Sequence, residues 1–465
     1  MFKTLANAWK IKDLRSKLLF TLTIILLYRV GAAVTVPFVN ASAVANSIAS
    51  STNGIYSLLT TLSSGFEQAS LFALGVSPYI TASIVIQLLT VAIPSLERLA
   101  KQGEEGKQKI NTITRYITVG ISLITAIGYY FLIKNYIFHD EWYTAIVIIA
   151  CFCAGSALVM WLAERINERG IGNGISIILF ANIVSRGTAI VQEFYAKLRN
   201  IFLGNPFGQI YDQLGIEYSG SWDWTFSIPS LLVLLLTTLG ILALIWFVVF
   251  ISDSERRIPV QYAKKVVGRK MYGGRNTNLP LKVNMAGVMP VIFASAILSL
   301  PSMILGFIEL ETGSFWAGVA EFIAPQTWFY AVMTFILILA FAYFYVSISF
   351  NPVEVAGNLQ QNGGSIPGIR PGKPTSLFIK KVLSKVTFIG ALCLSVVAVL
   401  PTVVYLILNG IGELTGLQGL MGSYSMISEF IQSGTSIIIV VGVVLETVRD
   451  LEAQMTMRHY KGFLD

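Results

Sequence analysis

The sequence predicts an all-α membrane protein with ten transmembrane helices, on three observations. Hydrophobic residues make up 54% of the 465 and charged residues only 12%, about half the ~25% charged share of soluble domains. Apolar stretches of about 20 residues recur along the chain, each long enough to cross ~30 Å of hydrocarbon as a helix. A helix satisfies its own backbone polar groups there, where water cannot. Finally, the basic residues alternate between the connections, heavily on one side and sparsely on the other.

Taken in order, residues 1–17 place Phe2, Leu5 and Trp9 at helical spacing and Lys3, Lys10 and Lys17 on another side. This reads as a short helix lying in the headgroup layer. Ten spans follow near 18–36, 68–93, 113–133, 144–163, 171–192, 228–251, 283–308, 327–350, 386–409 and 428–448. The first run is too long for a signal peptide, and nine spans come after it. The longest outer connection, 193–227, carries Trp222 and Trp224 as interface anchors and divides the chain into halves 18–192 and 228–448. Five spans per half is odd, so structural similarity between the halves would make them inverted repeats, a plan that places a pathway between them.

Two inner connections are large. In 252–282, Ile258, Val260 and Tyr262 alternate ahead of Gly273-Gly274, which predicts a small β-hairpin. In 351–385, Asn351-Pro352, Gly363-Gly364 and the run Pro367 to Gly372 predict a stiff exposed turn with Arg370 at its tip. With the N-terminus inside, 28 of the 33 basic residues fall on the inner side, the bias that fixes orientation in a plasma membrane. Both termini, including the tail 449–465, are then cytoplasmic.

Catalytic chemistry finds no footing. His139 and His459 are the two histidines and both lie outside the spans; Cys151, Cys153 and Cys393 lie inside them, with no metal-ligand spacing. No cofactor or metal site is expected, and no enzyme. The span interiors also lack the carboxylates of a proton or sodium relay, which argues against a small-solute transporter. Arg29, alone well within a span, either lines a pathway, snorkels to the interface or pairs with a neighbouring helix. Helix-breaking residues recur instead: Ser63-Ser64-Gly65-Phe66 and Gly75-Val76-Ser77-Pro78 at span two, Gly170 to Gly174 at span five, Asn284, Gly287 and Pro290 at span seven, Gly434-Thr435-Ser436 at span ten. Such breaks mark either a central site flanked by aliphatic residues or ordinary close packing through small side chains.

The run Ser70 to Ser83, with Glu168 to Ser176, Leu279 to Gly287, Arg256-Arg257-Ile258-Pro259-Val260 and Pro367 to Gly372, resembles the SecY family of protein-export channels over nearly the whole chain. The resemblance implies two five-helix halves forming a clamshell around an hourglass pore, through which unfolded secretory polypeptides cross the plasma membrane. It implies a pore ring of Val76, Ile80, Ile175, Leu179, Ile292 and Ile439, and a half-helical plug over 63–74 with Ser63, Ser64, Gly65, Phe66, Ala69, Leu71 and Leu74. A lateral gate for signal peptides and membrane helices would carry Thr81, Thr125 and Asn284, Thr125 standing where the family pattern has a longer amide or acid. Arg256, Arg257, Lys264, Lys265, Arg269, Lys270 and Arg370 either dock partners or only fix topology. The partners implied are SecE and SecG subunits, the motor ATPase SecA, ribosomal RNA phosphates, the translocating polypeptide and membrane lipid.

Overall fold

The computed structural model describes residues 2–50, 65–66, 68–138, 141–185, 187, 228–262, 265–267, 270–272, 276–306, 315–324, 327–415 and 425–461. Ser63, Ser64, His139, Lys264, Arg269 and all of 193–227 lie outside these. The helices are α1 (Phe2–Lys10), α2 (Lys12–Ala33), α3 (Ala41–Ser50), α4 (Ser77–Ala92), α5 (Pro94–Ala100), α6 (Glu104–Ile133), α7 (Trp142–Arg169) and α8 (Gly174–Ser185). After the outer connection come α9 (Ile228–Asp253), α10 (Met289–Gly306), α11 (Phe315–Ile323), α12 (Trp328–Ser349), α13 (Pro352–Gln361), α14 (Lys373–Thr415) and α15 (Ser425–Lys461). Strands β1 (Glu255–Tyr262), β2 (Lys265–Val267), β3 (Lys270–Tyr272) and β4 (Asn276–Lys282) fill the first large connection and β5 (Gly364–Ser365) the second.

Among the described residues, five helical segments are long and apolar enough to span a membrane, or six if the pair α4–α5, bent by 105°, counts as one span. Ile93-Pro94 makes that bend: Pro94 lacks a backbone N–H to continue α4 and begins α5 instead. Of the other expected spans, 228–251 lies within α9, 283–308 overlaps α10, and the described helix in 171–192 is Gly174–Ser185. The tenth, 428–448, lies within α15. Helices α2, α4, α6 and α7 pack together, as do α9, α10, α12, α14 and α15, and α4 against α10 joins the two groups. Arg29 on α2 donates to the Ala181 carbonyl on α8 (3.3 Å), so it is tied to a neighbouring helix.

The second span departs from expectation. Its first residues, through Val76, form successive turns, and helix begins at Ser77. Ala69 (φ +44°) and Gly75 (φ +54°) sit in the left-handed region, which no right-handed helix contains, and Pro78 falls in the first turn of α4, where its missing N–H costs nothing. The same turns replace the half-helix expected of the plug over its described part. Gly434-Thr435-Ser436 is no break, because α15 runs through it. Gly434 serves contact: a Cβ there would lie 2.8 Å from Pro401 Cγ on α14.

The predicted hairpin is present as β1 paired antiparallel with β4, from Glu255↔Lys282 to Gln261↔Asn276. The reversal is a smaller β2–β3 hairpin within it, and Gly273-Gly274 fall between β3 and β4, outside the described residues. Strand β5 adds to the other edge of β1 through Gln261↔Ser365 and Tyr262↔Gly364. Ile258, Val260, Leu281, Ala356, Ile366 and Ile379 share one apolar core beneath this sheet, so the two large basic connections fold as a single unit.

Candidate functional site

The six expected ring residues come from four helical segments and fall in or against one large apolar cluster. Val76 precedes the first turn of α4 and Ile80 follows one turn on, while Ile175 and Leu179 repeat that spacing on α8. The i, i+4 spacing holds each pair on one helix face. Ile292 comes from α10 and Ile439 from α15. Val76, Ile80, Leu179, Ile292 and Ile439 are buried in one apolar cluster, and half-buried Ile175 packs against it. An aliphatic cluster offers a passing chain no directional bond and excludes water from a narrow passage by dewetting. Among the described residues no group of three or more His, Cys, Asp or Glu side chains could hold a metal.

Beside the cluster, the described part of 63–74 is clasped between helices. Val36 N–H donates to the Ala69 carbonyl (3.1 Å) and Leu71 N–H to the Val34 carbonyl (2.8 Å), stitching the turn to the chain leaving α2. Phe66 lies on Tyr129 of α6 (ring centroids 4.6 Å), whose hydroxyl donates to the Phe66 carbonyl, and Tyr129 in turn meets Phe152 of α7 at 4.9 Å. Phe66, Ala69 and Leu74 join a second apolar cluster with these rings, while Leu71 packs on the first. Two glycines make the seat: a Cβ on Gly31 would lie 2.0 Å from the Phe72 ring and one on Gly155 only 1.9 Å from the Leu71 carbonyl oxygen. Sequence reading missed both, their only signal being a glycine inside an apolar helix.

Of the expected gate residues, Thr81 and Thr125 are buried on the contacting helices α4 and α6. Each spends its hydroxyl on its own helix, Thr81 on the Ser77 carbonyl (3.1 Å) and Thr125 on those of Ile121 and Ser122 (3.0 Å each). Asn284 lies between β4 and α10, lining a cavity of about 220 Å³ with Lys282, Gly287, Glu446 and Arg449. Partial burial, with Arg449 adding to it, holds the Lys282 ammonium below the usual lysine range.

On the sheet unit, Arg256 and Arg257 are exposed and precede the buried Ile258, with Arg257 Nε donating to Glu255 (2.7 Å). Lys265 and Lys270 fall in β2 and β3. Arg370 is exposed between Gly368 (φ +80°) and Gly372 (φ +96°), and its carbonyl accepts from Thr375 Oγ1 (2.8 Å). Left-handed φ on both sides favours glycine, which fixes the turn that carries the guanidinium.

The basic end of α15 ties the elements together, a role the sequence reading did not assign. Arg449 bonds Asp253 (2.7 Å) and the Ser252 carbonyl at the end of α9. Asp450 accepts from the Gly172 N–H (3.0 Å) and Gln454 from Lys17 Nζ (3.0 Å), reaching the other helix group. Asp450→Ala orphans that part-buried N–H and is expected to destabilise by about 1–2 kcal/mol. Asp450→Asn, which keeps an acceptor oxygen, restores most of the loss, both read as melting shifts in detergent.

The SecY family model matches residues 70–448. The chain is 40% identical over 484 aligned positions to the protein translocase subunit SecY of Streptomyces scabiei and 38% identical over 485 to that of Mycobacterium bovis, each match covering 100% of both chains. A solved structure described as a protein conducting channel matches with TM-score 0.60 at 17% identity, over 94% of this chain and 92% of that one. Sec61 in the canine ribosome-channel complex from the endoplasmic reticulum matches with TM-score 0.57 at 17% identity over the same shares. At such identity these structures speak for the fold alone, whereas the full-length sequence relatives decide the family. The chain belongs to the SecY family.

Proposed function

We propose that this protein is the polypeptide-conducting channel of a bacterial export translocase, passive in itself and driven by a separate motor or by the ribosome. What supports the reading is that six aliphatic side chains at or on α4, α8, α10 and α15 fall in or against one apolar cluster. A deformable apolar gasket suits a substrate of arbitrary sequence and suits no ion or small polar solute. In this reading ten spans form two halves hinged as a clamshell around the ring, the clasped turns near Phe66–Leu74 plug its outer funnel, and the α4–α10 seam opens to lipid. Segments leaving through that seam partition by transfer energy, about −0.5 kcal/mol for a leucine and about +3 kcal/mol for a lysine at mid-helix.

The chain sits in the plasma membrane with both termini and the β-sheet unit in the cytoplasm, the orientation the sorting of basic residues favours. SecE and SecG subunits accompany it. The exposed Arg256, Arg257 and Arg370, with Lys264, Lys265, Arg269 and Lys270, dock ribosomal RNA phosphates or acidic surfaces of the motor SecA. In proteoliposomes with motor and ATP, a secretory precursor is expected to become protease-protected. Arg370→Glu is expected to reduce that export about tenfold, since charge reversal at a docked contact costs over 1 kcal/mol, while ribosome-driven membrane insertion falls by less. Full export by the mutant removes Arg370 from the docking surface. Failure of the unmodified chain to protect any precursor contradicts the channel itself.

A further inference from the structure

The two groups of helices meet at the α4–α10 seam and again at the chain termini, and the two contacts are built differently. At the seam both helices share the large apolar cluster, and among the described residues no hydrogen bond joins them. At the termini, α1, the start of α2 and the corner 170–172 receive the end of α15. Ala8, Leu14, Ile171 and Leu451 form a separate apolar core there, each 1% exposed or less, with Met455 packed on it. Ile171 N–H donates to Thr21 Oγ1 on α2 (3.3 Å), so the corner and α2 make one socket. Across it run the bonds from Gly172 N–H to Asp450 and from Lys17 Nζ to Gln454 (3.0 Å each), and Gln454 Nε2 donates in turn to Asp450 (3.2 Å). Gly172 (φ +74°) permits the close approach: a Cβ there would lie 3.2 Å from Thr447 Oγ1 on α15. Parting this junction would strand the Gly172 N–H and wet the Leu451 core, whereas parting the seam breaks no hydrogen bond.

The chain also links the two halves covalently, through 193–227. That link follows α8, whereas Gly172 precedes it, and α8 (Gly174–Ser185) is about 18 Å long at 1.5 Å per residue. One link alone lets a body tilt and twist in any direction on its neighbour. A second fixed point, well removed from the first, leaves only rotation about the line between them.

We propose that the terminal junction is a fixed pivot, which stays closed while the α4–α10 seam parts and, with the covalent link beyond the other end of α8, sets the axis on which the halves turn. The pivot rests on the channel reading above, in which α8 crosses the membrane. The axis then runs along the membrane normal, and the seam opens sideways toward lipid while the inner ends of the halves stay together. Helix α1 thereby acquires a mechanical role, as the part of the socket that α15 turns against.

The test uses the translocase complex in proteoliposomes, with Cys151, Cys153 and Cys393 replaced by alanine and with Lys17→Cys and Gln454→Cys joined by a short bis-maleimide. Protection of a secretory precursor is expected to stay within about twofold of the same complex before crosslinking, since a pivot of a hinged closure does not separate. Spin labels on ketone-bearing residues replacing Val85 and Ile304, exposed points of α4 and α10, should move apart when a stalled secretory chain engages, and equally so with the crosslink in place. Leu451→Ala leaves a cavity in the junction, so the engaged distance distribution between the labels should become about twice as wide and narrow again on crosslinking. A lowered melting midpoint with an unchanged width would make the junction a matter of stability alone and overturns the pivot. So does abolished export on crosslinking, which would make the junction a latch that must open. If neither the unmodified chain nor the double-cysteine chain before crosslinking protects any precursor, the channel reading falls and the pivot with it.

Discussion

Gly155→Ala is expected to destabilise the protein by about 1–3 kcal/mol, the usual cost of forcing an atom into a filled site, and to raise its resting ion leak. The added carbon would stand 1.9 Å from the Leu71 carbonyl oxygen and 2.9 Å from its carbon. Both are backbone atoms, so no rotamer change relieves the contact. The turn cannot simply slide, because Leu71 is bonded to Val34, Ala69 to Val36, and Phe66 is covered by Tyr129. Either α7 retreats or the turn leaves its seat, and the second outcome would open the funnel that we propose the turn plugs. Gly120→Ala on α6 is the control: a Cβ there meets nothing within 4 Å. Alanine in a helix is favoured over glycine by up to about 1 kcal/mol, so this variant should be neutral or stabilised. Opposite signs at the two glycines, in melting midpoint and in leak, are the expected result. Equal behaviour would mean that Gly155 does not hold the turn.

The double variant Ile80→Asn with Ile292→Asn is expected to raise resting ion conductance of reconstituted vesicles by about tenfold or more, because two amides would hydrate the passage that we propose these aliphatic side chains keep dry. Both isoleucines are nearly inaccessible, at 3% and 2% exposure. Each amide therefore also loses its water partners, a penalty of about 1–3 kcal/mol per unsatisfied group, which the ring recovers only by admitting water. The resting state is penalised more than the occupied one, so precursors with weakened signal sequences should be exported better. Ile80→Val with Ile292→Val keeps an aliphatic wall and should change neither. Unchanged leak and unchanged selectivity in the asparagine variant would remove these residues from the seal.

How much of this was legible in the sequence depended on whether composition or backbone conformation carried the information. The eighth span was read as 327–350 and is Trp328–Ser349, since an unbroken apolar run between a capping Thr327 and Asn351-Pro352 admits one solution. The alternation Ile258, Val260, Tyr262 gave the hairpin because one face is buried in a small core. The residues before Ser77 were read as helix and are turns. The break at Gly75 to Pro78 was legible, but the apolar composition of the residues before it passes any hydropathy window and does not report that Ala69 takes positive φ. Gly434 was read as a break and is a contact, because one glycine serves both purposes in sequence.

The candidate site divides in the same way. The six ring residues came from the family resemblance, and only their i, i+4 pairing was visible in the residues themselves. Gly31 and Gly155 matter through atoms that are close in space and remote in sequence, which one sequence cannot pair. Strand β5 is two residues long and exists only because β1 offers it an edge. The α15 bonds to Lys17 and Gly172 likewise join residues more than 270 positions apart.

Site-specific crosslinking from Ile80, with a stalled secretory chain engaged in membranes carrying this protein, tests the central claim most directly. A photoreactive residue at position 80 should capture the stalled polypeptide, while one at Ile389 on the exposed face of α14 (57% exposed) should capture lipid and no substrate. Capture at neither position 80 nor any other ring position, despite a competent motor and ribosome, would contradict a path through this cluster.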